Sequence, residues 1–188
     1  NVTGGSNVSI GQASMYNNTS GSTNSSIGKN TLHQNSSGYS NIAIGASSLY
    51  RNTIQSNIVA VGDSALFNNG LNAVNAGDAS YNTAVGSKSL YNNTTGYGNT
   101  GTGFNSLYSN TTGDQNTANG RRALYANTTG NSNTAIGSES LSSNTTGHSN
   151  TATGYYSMKN NTTGTYNTAF GSSALDANTT GGYNTSTG

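Results

Sequence analysis

The chain is 188 residues long, 30% hydrophobic and 6% charged, with a formal net charge of +1 and no Pro, Cys or Trp. Globular domains are usually about half apolar and a quarter charged, so this composition excludes an ordinary globule, while its regularity argues against a disordered tail. Six scattered basic residues, with Arg121-Arg122 the one adjacent pair, exclude a phosphate-tracking nucleic-acid patch, no apolar run approaches the about 20 residues of a membrane span, and without cysteine the chain needs no particular redox compartment and gives no clue to one.

In chain order, glycines at 11, 28, 45, 62, 86, 103, 120, 137, 154, 171 and 188 anchor one recurring phrase, roughly Asn-Thr-Ala-Ile-Gly-x-x-Ser-Leu-Tyr-x-Asn-Thr-Thr-Gly-x-x. Nine of the ten spacings are 17 residues, and the step from Gly62 to Gly86 is 24, one period plus a seven-residue insertion. A unit this short cannot bury an apolar face alone and must lay it on its neighbours, so each repeat is one coil of a stack. Residues 1–188 therefore read as a single repeat array. Its first and last residues fall mid-pattern, with Asn1, Thr3 and Gly4 in phase with later Asn-x-Thr-Gly turns, which points to an excerpt of a longer fibre.

Positions are counted from each anchor glycine. Ahead of it runs a short alternating segment, as in Asn133-Thr134-Ala135-Ile136, where Thr and Ile share one face and Asn and Ala the other. The pattern predicts a strand of four or five residues. Position 4 holds Met15, Leu32, Leu49, Leu66, Leu90, Leu107, Leu124, Leu141, Met158 and Leu175, the expected core column. Position 5 holds an aromatic run, Tyr16, Tyr50, Phe67, Tyr91, Tyr108 and Tyr125, along one edge. These rings either shield the coil corner beside Leu or offer flat, amphipathic area that stacks on sugars. Position 7 is Asn throughout (Asn18, Asn35, Asn52, Asn69, Asn93, Asn110, Asn127, Asn144, Asn161, Asn178), the register of a structural amide ladder between coils. It usually opens Asn-Thr-Thr-Gly, whose Asn and Gly suit the positive φ of a tight turn. The same triplets spell glycosylation sequons, a second reading of turn chemistry.

Gly, Asn, Ser and Thr are weak helix formers, so the coil is β and the fold an all-β parallel solenoid. One Leu and one Ile or Val per coil make a thin core for one chain, so the Ile/Val face is expected to be shared with further copies. The polar rungs in that column, Thr102, Asn119, Thr153 and Thr187, then either bond to their own copies or face water.

The repeat before the insertion is irregular at Thr53-Ile-Gln-Ser-Asn-Ile58, and the insertion itself lies within 70–81. Solenoid insertions map to protruding loops, which makes Asp78 and Tyr81 candidate ligand contacts. His33 and His148 stand in different columns many coils apart, and the five acids are dispersed, without metal-loop spacing or a carboxylate pair. No catalytic or metal site and no cofactor is expected, and the chain does not read as an enzyme.

The phrases Asn41-Ile-Ala-Ile-Gly45, Asn82-Thr-Ala-Val-Gly86 and Asn133-Thr-Ala-Ile-Gly137 resemble the YadA-like head repeats of trimeric autotransporter adhesins and similar repeats of bacterial surface and phage tail-fibre proteins. The resemblance covers essentially the whole chain and implies a left-handed β-roll and a side-by-side homotrimer. It further implies an extracellular location on a cell surface or virion fibre, where the chain attaches to cells, surface glycans or cell-surface proteins. The added Asn-Thr-Thr-Gly turn departs from the shorter YadA-type unit. Two other readings remain: a purely structural extracellular filament without ligand, and an ice-binding solenoid using the Thr ladder Thr111, Thr128, Thr145, Thr162 and Thr179.

Overall fold

A computed structural model describes residues 3–188; Asn1 lies outside the described residues. Eleven parallel strands, from β1 (Val8–Ile10) to β11 (Thr185–Thr187), form one sheet in strict chain order. Each strand pairs with the equivalent residues of the next repeat, including β4 (Val59–Val61) with β5 (Thr83–Val85) across the insertion. The chain is thus a parallel β-solenoid with one coil per 17-residue repeat. At about 4.8 Å per coil the rod is roughly 50 Å long.

The strands are three residues long, shorter than the alternation predicts. The reason lies in the amide at each strand's start: Asn133 gives its backbone N–H to the Asn116 Oδ1 rather than to a strand carbonyl, so regular pairing begins one residue later. The middle residue of each strand points inward, and Ala43, Ala84, Ala118, Ala135, Ala152 and Ala169 are fully buried. Against them packs the position-4 column, fully buried from Leu32 to Met158 and partly buried at Leu175.

The turn conformations correct the sequence reading. Positive φ falls not on the Asn and Gly of Asn-Thr-Thr-Gly but on positions 2 and 4, on the residue five before each anchor, and on the anchor itself. Even the core leucines adopt it, as at Leu107 (φ 50) and Leu124 (φ 52). The left-handed conformation costs a non-glycine residue about 1 kcal/mol or more, and it is held here because alternating N–H groups donate to the coils before and after. Arg122 donates to the Phe104 carbonyl and Leu124 to that of Ser140. The turn glycine serves close approach instead: a Cβ on Gly113 would lie 2.5 Å from both the Gly130 carbonyl oxygen and the Asn110 Oδ1.

The position-7 amides form the expected ladder. Each Nδ2 donates to the Oδ1 one coil back at 2.7–3.1 Å, unbroken from Asn35 to Asn178 and across the insertion through Asn93 and Asn69. A second buried Asn column stands at the strand entrances (Asn24, Asn41, Asn82, Asn99, Asn116, Asn133, Asn150, Asn167), interrupted at Ile58. There each Oδ1 accepts the backbone N–H of the next coil and each Nδ2 donates to a turn carbonyl, as Asn133 does to Gly147 at 2.8 Å.

Candidate functional site

Four surface features bear on function: the outward strand face, the ring ladder, the inserted loop and a charged corner. Outward side chains of the strands form two columns on a continuous sheet. Val8, Ile10, Ile27, Ile42, Ile44, Val85, Ile136 and Phe170 are 38–57% exposed there. Toward the C-terminal end the first column becomes all threonine, Thr83 through Thr185 at each coil. These strand-face hydroxyls make no hydrogen bond among the described residues, unlike the ladder named for ice, where Thr111, Thr128, Thr145 and Thr162 each donate Oγ1 to the next coil's Thr carbonyl at 3.0–3.1 Å. The latter hydroxyls are committed to the fold.

The position-5 rings stack on one another. Tyr16, His33, Tyr50, Phe67, Tyr91, Tyr108 and Tyr125 lie at centroid separations of 5.0–5.4 Å with interplanar angles of 4–13°. The coil spacing is therefore an aromatic stacking distance, and internal ladder faces are covered by neighbouring rings. A sugar can reach ring edges and the column's ends, but not the faces of Tyr50, Tyr91 or Tyr108. His33, absent from the expected run, completes it.

The loop and the irregular repeat before it are one feature. In regular coils a single Thr carbonyl accepts the N–H groups of the preceding turn, as Thr111 does from Thr94, Thr95 and Gly96 at 2.9–3.2 Å. Where the insertion diverts the chain after Gly70, the Gln55 side chain takes that place, its Oε1 accepting from Thr53 and Ile54 at 3.2 Å. The chain rejoins at Ala79, whose carbonyl accepts from both Asn69 and Asn82. The Asp78 carboxylate accepts the Val74 and Asn75 backbone N–H groups at 3.3 and 3.1 Å, so it shapes its own loop. Tyr81 is 63% exposed at the loop's exit.

Register also assembles what looked dispersed. Arg121, Glu139 and Lys159 come from three successive coils, with Arg121 Nη2 at 2.5 Å and Lys159 Nζ at 3.4 Å from the Glu139 carboxylate. Lys159 Nζ sits 3.9 Å from the Tyr156 ring centroid and Arg122 Cζ 5.3 Å from that of Tyr125. Tyr155 stacks on Tyr156 at 3.9 Å. Its phenol is raised above the ordinary tyrosine range, chiefly by the side-chain hydrogen bond with Tyr156 and further by the Glu139 charge. The 18-residue step from Arg121 to Glu139 and the 20-residue step from Glu139 to Lys159 were the available signal, since each is close to one period.

Among the described residues, no group of three or more His, Cys, Asp or Glu is placed to hold a metal ion, and no helix is long and apolar enough to cross a membrane. No protein-family model, curated protein or solved structure matches the chain.

Proposed function

We propose that this chain is a rigid segment of an extracellular fibre, built from copies packed strand face to strand face, that attaches a cell or virion to cells, glycans or surfaces. The finer form of the reading is a left-handed, side-by-side homotrimer displaying loops and edges in multiple copies, so that avidity replaces single-site affinity. One observation carries it: the outward face of the sheet exposes a column of Ile, Val and Phe side chains, whereas the large apolar groups exposed elsewhere are aromatic rings such as Tyr39, Phe104 and Tyr155, and Val74 of the inserted loop. A face about 50 Å long and about 10 Å wide contributes roughly 1,000 Å² per pair of copies, the lower bound of a specific interface. Identical columns on each copy match rung for rung, so Thr102, Asn119 and Thr153 meet their equivalents across a symmetry axis.

Light scattering coupled to size exclusion tests the reading. A mass three times the 19.0 kDa chain is expected, and Ile136→Lys, which places like charges at the axis, lowers it to one chain. A folded monomer at tens of micromolar overturns the shared face. Blank glycan and cell-adhesion assays on a trimer reduce the function to a structural filament.

A second reading rests on the free strand-face hydroxyls. Side chains two residues apart on a strand are about 6.7 Å apart, and coils are about 4.8 Å apart, a two-dimensional array near the oxygen repeat of ice. If the chain is monomeric, the face is open, and thermal hysteresis lost in Thr134→Leu is the expected signature.

A further inference from the structure

We propose that the corner built from Arg121, Arg122, Tyr155 and Lys159 binds carboxylated sugars, seating a pyranose ring against Tyr155 and its carboxylate on the Arg121 guanidinium. This names the ligand class for the adhesive function above and rests on that reading. The chain carries six basic and five acidic residues in all, yet three cations and one carboxylate gather here within three successive coils. Exposed ion pairs of this kind add little stability, and their effect here is on geometry. Glu139, with its side chain only 13% exposed, lies beneath Arg121 and Lys159 and fixes both, while the Tyr125 and Tyr156 rings hold Arg122 and Lys159 by cation–π contact. Long cations so restrained lose less freedom on binding an anion.

The Arg121 side chain stays 53% exposed, and its guanidinium fork has donors left for a second, bidentate carboxylate. Phe104, Arg121, Ser138 and Tyr155 occupy position 1 of consecutive coils, and Phe104 and Tyr155 are 48% and 51% exposed. The ring ladder alongside shows that one ring per coil stacks at 5.0–5.4 Å. At Ser138 that rung carries only a hydroxymethyl group, so a sugar ring lying there is one coil from Tyr155, whose ring also packs on Tyr156, and one coil from Arg121. Tyr155 remains a neutral donor at physiological pH, so it does not repel an acid. A nucleic acid fits poorly, because residues 160–188 hold no Lys or Arg and the nearest cation before Arg121 is Lys88.

The test is calorimetric titration of the purified oligomer with tetragalacturonate, 3′-sialyllactose and lactose. Binding of one or both acidic sugars and not of lactose is expected, the first two arms separating uronate from sialate sources. Arg121→Gln weakens it at least tenfold, Tyr155→Ser severalfold, and Lys29→Gln, at position 1 of a distant coil, leaves it unchanged. Raising salt from 50 to 500 mM weakens binding. No acidic-sugar binding by a correctly folded trimer, equal binding of lactose, or wild-type affinity in Arg121→Gln overturns this site and leaves the fibre reading standing. A monomer that binds and loses affinity in Arg121→Gln does the reverse.

Discussion

At the scale of single residues the fold depends on buried Asn amides that bond from coil to coil. Asn127 is fully buried; its Nδ2 donates to the Asn110 Oδ1 and the Gly130 carbonyl, and its Oδ1 accepts from Asn144. Asn127→Ala leaves the buried Asn110 Oδ1 and one N–H of Asn144 unpaired, while the Gly130 carbonyl keeps the Asn116 amide, and each unpaired group costs about 1–3 kcal/mol. The expected loss is at least about 2 kcal/mol, read from the urea midpoint; a loss under about 1 kcal/mol would mean that water fills the gap. The same burial closes the sequons at Asn93, Asn110, Asn127, Asn144 and Asn161 to glycosylation of the folded chain. Gln55 is the one-off counterpart, and Gln55→Ala frees the Thr53 and Ile54 N–H groups, an expected loss of about 1–3 kcal/mol. The Asn column was legible because ten repetitions at one register make a pattern. Gln55 was not, because what its amide replaces depends on the path of the following coil.

At the scale of the coil, period, β character and the leucine column were readable from repetition, whereas the inward face of the strand was not, since alternation alone does not say that Ala135 is buried and Ile136 exposed. The positive-φ positions were not, because Leu, Ser, Asn, Arg and Tyr occupy them and the hydrogen bonds between coils impose the conformation. The charged corner was hidden for a related reason: charge patterns are sought along the chain, while Arg121, Glu139 and Lys159 become neighbours only after stacking. The pairing of Gln55 with the insertion gives a test of coil logic. Deleting residues 71–77 with Ala79→Gly restores the 17-residue step, yet the restored turn must cross the space that Gln55 fills. The shortened chain is therefore expected to be less stable than the native one, and adding Gln55→Gly to recover most of the loss. Alone, Gln55→Gly destabilises, so the double-mutant cycle in thermal unfolding should show coupling of opposite sign. Additive effects would separate the two irregularities.

At the scale of the molecule the stack is continuous. The position-7 ladder and the sheet both run through the insertion, so neighbouring coils support each other along the whole rod. What a single chain leaves unsettled is its outward face, where Asn119 stands exposed among β-branched neighbours with no hydrogen-bond partner for its side-chain amide. The two readings of that face give this residue opposite roles. On a solvated face, Asn119→Ile only adds exposed apolar surface and leaves the unfolding midpoint nearly unchanged. In a trimer whose rungs meet at an axis, three amides crowd into a narrow apolar seam, where polar groups specify register at some cost in stability. Replacing them with isoleucine then extends the seam from Ile136 toward Val85. A midpoint higher by several degrees, concentration-dependent and abolished when Ile136→Lys is added, is the expected outcome for strand faces that pack together. An unchanged midpoint would place the face in water.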